Sequence, residues 1–322
     1  MSPAHSDTAA SERPKVVVLC GPTGVGKTAA AVGIAKVFKA EIVNADSMQV
    51  YRYMDIGTAK PSVEERRAVK HHLIDILDPD QPFSAASYAA AARYAAAART
   101  VIDALHQKGI LSLVVGGTGL YIKALLHGLF KEDPKTPGIR ARLKAEAARI
   151  GSETLHARLQ RLDPESARRI HPNDTVRVIR AMEICESTQT PLSTLHAAHG
   201  FSQKPYDVLK IGLTLERSVL YERINRRVDQ MLAAGLLGEV KSLLELGYDP
   251  ALKSMQSIGY RHMVQFIQKE RSWEEAVALI KRDTRRYAKR QWTWFKADPQ
   301  VTWHAPDAMD AIHLAVAGHL EG

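Results

Sequence analysis

The first apolar run of the chain, residues 15–20 (KVVVLC), places β-branched residues at consecutive positions, the pattern of a strand buried on both faces. Residues 27–38 read as a helix, EIVNA from 41 as a second strand, and LSLVV at 111–115 as a third. Between the second and third lies an Ala-rich stretch with two YAAAAR copies at 88–99, and alanine's helix propensity makes it a helix, with no repeat architecture implied. Strands separated by helices predict a parallel α/β sheet. Prolines, charges and a glycine at 131–138 end that alternation. From about 139 to 200 the periodicity is helical without a strand, broken at Gly151, Pro164, Pro172 and Pro191. DVLKIGLTL at 207–215 restores a strand, helices resume at about 217, and VTWHA at 301–305 precedes a last helix. The expected organisation is a tail at 1–14 without structure, a core formed by 15–131 and 206–322, and a helical insertion at 132–205.

Composition changes little in this picture. With 322 residues, 45% hydrophobic and 25% charged, the chain has ample material for a sizeable core. Its two cysteines, Cys20 and Cys185, lie far apart and lack metal-ligand spacing, so neither a disulfide framework nor a zinc site is indicated. The thirteen histidines show no metalloprotease spacing. No apolar run reaches the roughly 18 residues of a membrane span, and the first residues lack a signal-peptide pattern, so a cytoplasmic protein that touches no membrane is expected. Without a coiled coil or an apolar repeat, a monomer is expected.

Charge adds more. The formal net charge is +9, and the segment 217–296 holds 16 Lys and Arg against 9 Asp and Glu. Within it, KRDTRRYAKRQWTWFK at 281–296 interleaves cations with Tyr287, Trp292, Trp294 and Phe295, a composition suited to phosphates and bases. The same stretch also reads as an amphipathic helix with Trp292 and Phe295 turned into the core.

The strongest chemical signal is GPTGVGKT: Gly21, Pro22, Thr23, Gly24, Val25, Gly26, Lys27 and Thr28. It fulfils the phosphate-loop pattern between an apolar strand and a helix. Glycines let the backbone amides point inward, the helix N-terminus adds positive potential, Lys27 brings a cation, and the Thr28 hydroxyl can ligate magnesium. A nucleotide or diphosphate is the implied ligand. LSLVV runs into Gly116, Gly117 and Thr118 with no acidic pair, which argues against an ATP-driven motor and for a small transferase. The second strand delivers Asp46 to the rim where α/β proteins hold ligands. By position alone it can be a general base, a magnesium ligand or a turn cap. Arg223 and Arg227 are spaced to share a helix face, either closing over phosphates or facing solvent, beside an apolar stripe of Leu220, Ile224, Val228 and Met231 or Leu232.

Taken in order, GPTGVGKT, DSMQVYRYMDIGTAKP (46–61), GGTGLY (116–121), HPNDTVRVIRAMEI (171–184), RINRRVDQM (223–231), SIGYR (257–261) and AKRQWTWFK (288–296) resemble the bacterial tRNA dimethylallyltransferase family. The resemblance runs from about Lys15 to Lys296. It implies a P-loop NTPase-like parallel sheet core flanked by helices, with an inserted all-helical domain. The implied reaction moves the dimethylallyl group of dimethylallyl diphosphate to the exocyclic amine of the adenosine 3′ to the anticodon in tRNA, assisted by Mg2+ held partly by Thr28. Asp46 then matches the family's base, Thr118 a position that contacts the adenosine or steadies the attack, and Arg227 a donor to the leaving diphosphate.

Contacts to the anticodon arm carry over onto Asp46, Ser47, Met48 and Gln49, onto Arg140, and onto Val176, Arg177, Val178, Ile179 and Arg180. They carry over as well onto Gln256, Ser257, Ile258, Gly259, Tyr260 and Arg261, and onto Lys289, Arg290, Gln291, Trp292, Thr293, Trp294, Phe295 and Lys296. Two positions depart from the family pattern. Gly119 stands where relatives often carry a larger residue, and Val176 stands where a glutamine is common, which puts one tRNA contact in doubt. The competing readings are an adenylate isopentenyltransferase acting on a free nucleotide, a P-loop kinase of a small metabolite, and an RNA-binding module without catalysis. The basic segment and the helical insertion favour tRNA as acceptor.

Overall fold

In a computed structural model, described over residues 13–81, 83, 88–128, 138–199 and 204–322, the chain opens with β1 (Lys15–Cys20) and α1 (Lys27–Val37). Next come β2 (Ala40–Asn44), α2 (Val63–Ala68), a two-residue β3 (His71–His72), α3 (Tyr88–Gln107), β4 (Leu111–Gly116) and α4 (Gly119–His127). A helical series follows: α5 (Ile139–Ile150), α6 (Ser152–Leu162), α7 (Pro164–Arg169), α8 (Thr175–Thr188) and α9 (Leu192–His199). The chain closes with β5 (Asp207–Leu213), α10 (Arg217–Ala233), α11 (Leu236–Glu245), α12 (Tyr260–Ile267), α13 (Trp273–Lys296), β6 (Val301–His304) and α14 (Met309–Glu321). The proposed tail, up to residue 12, and residues 131–137 of the Pro-rich turn lie outside the described residues.

The sheet order is β3-β2-β4-β1-β5-β6, and every pairing is parallel. β1 lies between β4 and β5, with Cys20 opposite both Gly116 and Gly212. That central position explains its uninterrupted apolar run, because both faces are covered and Val16–Cys20 are each at most 1% exposed. α1 buries Ala30, Ala31, Ile34 and Ala35 in a core shared with Val17, Ile42, Leu113 and Ile211 of the strands and Ile312 and Val316 of α14. All the strand C-termini point to one rim, which puts the loops after β1, β2 and β4 side by side.

Sequence periodicity anticipated the other five strands but not β3. Its two residues pair with Ile42 and Val43, too short a run to carry alternation. β2 begins and ends one residue earlier than EIVNA suggests.

The chain divides into two compact units, one running to Leu126 and resuming at Lys204, the other formed within 127–203. The second has its own core of Leu143, Leu155, Leu159, Val178 and Met182. Gly151 separates α5 from α6, Pro164 sits at the first position of α7, and Pro172 and Pro191 precede α8 and α9, each where a breaker belongs. Asp163, fully buried, caps α7 by accepting from Ser166 N (3.0 Å) and receives Ser193 N (2.9 Å) from α9. Among the described residues no helix is long and apolar enough to cross a membrane.

Candidate active site

The phosphate loop follows β1 directly, with Gly24 and Gly26 at positive φ and α1 starting at Lys27. Lys27 Nζ donates to the carbonyls of Gly21 (3.0 Å) and Pro22 (2.8 Å), so its ammonium is held by the loop itself. Burial brings its pKa down to about 8, with Asp46 pulling it up and Arg227 pushing it down. Arg227, from α10, donates from Nη1 to Thr23 Oγ1 at 3.1 Å. Burial also lowers the Arg227 pKa, against the pull of Asp46. Two cations and one carboxylate therefore meet around the loop. Of the arginine pair, Arg227 is bonded to the loop, and Arg223 reaches Gly26, its Nη2 standing 3.5 Å from where a β-carbon on that glycine would lie. The apolar stripe of the same helix faces inward, with Leu220, Ile224 and Val228 buried.

Asp46 lies two residues past β2. Its Oδ1 accepts from Met48 N (2.8 Å), and its own amide donates to Asn44 Oδ1 (3.2 Å). One oxygen thus caps the turn, and among the described residues no protein donor is bonded to the other. Thr118 N donates to Ala45 O (3.2 Å), and Thr118 Oγ1 accepts from Ser47 N (3.1 Å). Buried at 5% exposure, Thr118 fastens the turn after β4 to the Asp46 loop, which fits the steadying role better than contact with a substrate.

Asp46 lines two cavities. A small one, of about 50 Å³, is shared by Lys27, Thr28, Asn44, Asp46 and Gln49. A larger one, of about 320 Å³, brings Thr23, Asp46 and Arg227 together with the apolar side chains of Ile224, Val228, Met231, Leu236, Ile258 and Ile280. Tyr287 and Arg290 of α13 also line it. Tyr287, named in the sequence only among the rings interleaved with cations at 281–296, is a pocket residue. Burial, reinforced by the charge of Asp46, raises its pKa and keeps the phenol protonated.

Gln291 is placed differently from the expectation of a tRNA contact. It is buried, with Oε1 accepting from Thr23 N (2.8 Å) and Nε2 donating to Gly117 O (3.0 Å). It therefore braces the phosphate loop against the turn after β4. The inward stripe of α13 runs through Ala276, Ile280, Ala288, Gln291 and Phe295, at three- and four-residue spacing in its second half. Trp292 falls off that stripe. The expectation that it enters the core is corrected: it is 37% exposed, with Lys296 Nζ 4.6 Å from its ring centre.

The other carried-over tRNA contacts narrow in the same way. Ser47, Val178, Ile179, Tyr260 and Phe295 are buried and present no side chain to a surface. Arg180 is ion-paired with Glu183 (2.9 Å). Met48, Gln49, Ser257, Ile258 and Arg261 remain half-buried; Arg140, Val176, Arg177, Gln256, Lys289, Arg290, Thr293, Trp294 and Lys296 are exposed.

Gly119 has a local reason to be glycine. A β-carbon there would stand 2.1 Å from Trp294 Nε1, so the indole packs directly on the start of α4. Gly119→Met is expected to displace Trp294, whose indole is 42% exposed and can turn outward, at a stability cost below the roughly 1–3 kcal/mol of core overpacking. Acrylamide quenching of tryptophan emission, compared with a Trp294→Phe control, should rise. Unchanged quenching and stability would contradict this packing.

The IPP transferase family pattern matches residues 49–298. A tRNA dimethylallyltransferase of Desulfatibacillum aliphaticivorans is 54% identical over 307 residues, 95% of this chain and 98% of that protein. The crystal structure of the full-length tRNA isopentenylpyrophosphate transferase of Bacillus halodurans is 42% identical, with a TM-score of 0.71 covering 96% of this chain and 97% of that one. A eukaryotic dimethylallyltransferase captured acting on tRNA is 29% identical, with a TM-score of 0.72 over 90% of this chain and 73% of its own. On the extent of these matches, this protein belongs to the IPP transferase family.

Proposed function

We propose that this chain transfers the dimethylallyl group of dimethylallyl diphosphate to the exocyclic amine of the adenosine adjacent to the anticodon on its 3′ side in tRNA. The observation that carries this reading is the larger cavity: phosphate-loop Thr23, Arg227 and Asp46 share one space with the aliphatic side chains of Ile224, Val228, Leu236, Ile258 and Ile280. A donor with a charged diphosphate and a short hydrocarbon chain matches both the charged and the apolar parts of that lining.

In the reaction the amine nitrogen forms a bond to C1 of the prenyl group as the C1–O bond breaks. Diphosphate leaves with the bonding electron pair, and the amine proton passes to a base. Asp46 takes that proton through the carboxylate oxygen left over from turn capping. The amine's lone pair is delocalised into the purine ring, so a positioned base matters here. Charge accumulating on the diphosphate is met by loop amides, Lys27 and Arg227. Thr118 and Gln291 hold these loops in register from behind.

The Thr28 hydroxyl, lining the small cavity, is a hard oxygen donor that fits magnesium when completed by diphosphate oxygens and water. When bound, the ion supplies positive charge to the leaving diphosphate. Exposed Lys289, Arg290, Trp294 and Lys296 on α13, and separately Arg140, Val176 and Arg177 in the helical unit, are the side chains proposed to touch RNA.

Donor choice tests the reading. Offered labelled dimethylallyl diphosphate or labelled ATP with bulk tRNA, the protein should label tRNA from the prenyl donor alone. Transfer from ATP alone would replace this reading with the kinase.

A further inference from the structure

Glu239 of α11 lies in no recognised motif, yet its carboxylate gathers four donors from two separate segments. Oε2 accepts from the amides of Asp55 (2.9 Å) and Ile56 (2.7 Å), and Oε1 from the amide of Gly57 (3.1 Å) and the hydroxyl of Tyr260 (2.6 Å). Three successive amides converging on one carboxylate form a backbone nest filled by a side chain. Such charge-assisted bonds are stronger than neutral ones. Tyr260 is itself fully buried, and its ring lies against Gly57, where a β-carbon would stand 2.5 Å from Tyr260 Cε2.

The loop held this way continues to the base. Gln49 Nε2 donates to the carbonyls of Thr58 (3.3 Å) and Ala59 (3.1 Å), linking it to the turn that Asp46 caps. Lys60 closes the loop's other end, its buried ammonium bonded to Tyr51 O (2.5 Å) and Asp55 Oδ1 (2.6 Å). Gly57 and Thr58 are also part of the larger cavity's wall, as are Ser257–Arg261 around Tyr260. Among the described residues, no hydrogen bond of this network reaches the phosphate loop.

We infer that Glu239 is a positioning residue: it pins loop 55–59 to Tyr260 and, through Gln49, fixes where the Asp46 carboxylate stands relative to the acceptor amine. The inference rests on the proposed transfer reaction for its kinetic half. Its geometric half stands alone.

Hydrogen exchange followed by mass spectrometry tests the geometric half on the whole protein. Glu239→Ala should lose amide protection at residues 55–57 by about tenfold or more, and Glu239→Gln, which keeps one acceptor oxygen, should lose less. Wild-type protection in Glu239→Ala would overturn the proposal whatever the reaction is. Single-turnover transfer with saturating donor and tRNA tests the kinetic half, because its rate constant is independent of the fraction of folded enzyme, which sets only the amplitude. Misplacing the base is expected to lower that rate constant by about 10- to 100-fold in Glu239→Ala, with donor and tRNA affinities within a few-fold of wild type. Glu239→Gln, nearest in shape, should fall between and serves if the alanine variant folds poorly. A reduced amplitude at the wild-type rate constant in both variants would show that Glu239 serves only folding, and would overturn the positioning role. A wild-type enzyme that transfers no prenyl group while the exchange result holds would fault the reaction, not the nest.

Discussion

Asp46→Asn is expected to slow prenyl transfer by about 10²- to 10⁴-fold, the range that a positioned general base supplies, while tRNA affinity stays near wild type. The asparagine carbonyl can still accept from Met48 N, so the turn that Asp46 Oδ1 caps survives. What it cannot do is take a proton. Asp46→Ala removes both functions and adds the loss of one hydrogen bond, worth about 1 kcal/mol of stability. The pair of variants separates turn capping from the chemical uses of the carboxylate. If both are slow and only the alanine variant is less stable, the carboxylate itself, beyond its turn cap, serves the reaction. A fast Asp46→Asn with a slow Asp46→Ala would reduce Asp46 to a turn cap. Single-turnover rates and thermal unfolding of the two proteins decide between these outcomes.

Lys27→Ala should have the second large effect. Removing a charged donor aimed at the leaving group costs about 10²- to 10³-fold, and here it also vacates the carbonyls of Gly21 and Pro22 that the ammonium now satisfies. The wild-type lysine carries a pH signature as well. With its pKa brought down to about 8 by burial, the free protein loses this cation as pH rises through about 8. Since kcat/KM reports the free enzyme, its value for the donor should decline over that interval. A bound diphosphate favours the ammonium, so kcat should hold to higher pH. A kcat/KM profile flat from pH 7 to 9 would contradict a role for the Lys27 charge in capturing the donor.

The residues that could be read in the sequence are those whose function depends on neighbours along the chain. GPTGVGKT is contiguous because a loop's amides must converge on one anion, and Asp46 is legible because strand ends mark the rim of an α/β sheet. The helical stretch at 139–200 shows its breaks at Gly151, Pro164, Pro172 and Pro191, which fall between helices or at the start of one. Gln291 and Glu239 are different. Gln291 acts on partners 268 and 174 residues away, and Glu239 on amides 182 to 184 residues away. Helical periodicity could have marked Gln291 as inward, since it shares a stripe with Ala288 and Phe295. A buried polar residue in such a stripe implies a partner without saying which. Trp292 misled for the complementary reason: its aromatic character suggested core, whereas its angular position on α13 puts it outside. β3 escaped notice because two residues have no period.

The charge excess can be placed with similar economy. Not every cation in 217–296 faces RNA: Arg227 serves the phosphate loop, Arg285 donates to Asn225 Oδ1 (2.6 Å), and Lys281 pairs with Asp229 (2.6 Å). The proposed RNA face of α13 is thereby reduced to its last turns, around Lys289, Arg290, Trp294 and Lys296. Exposed phosphate contacts are screened by salt. Charge-removing substitutions at Lys289 and Lys296, which are not part of the larger cavity's lining, should weaken tRNA binding and flatten its salt dependence without slowing the chemical step.

The central claim joins a donor to an acceptor, and one measurement addresses both. The wild-type protein is incubated with dimethylallyl diphosphate and tRNA lacking the modification, with adenosine monophosphate in a parallel reaction, and the products are digested and mapped by mass spectrometry. The account predicts N6-dimethylallyladenosine at the position 3′ to the anticodon, equimolar diphosphate, and no modified free nucleotide. An unmodified tRNA together with prenylated adenosine monophosphate would contradict it.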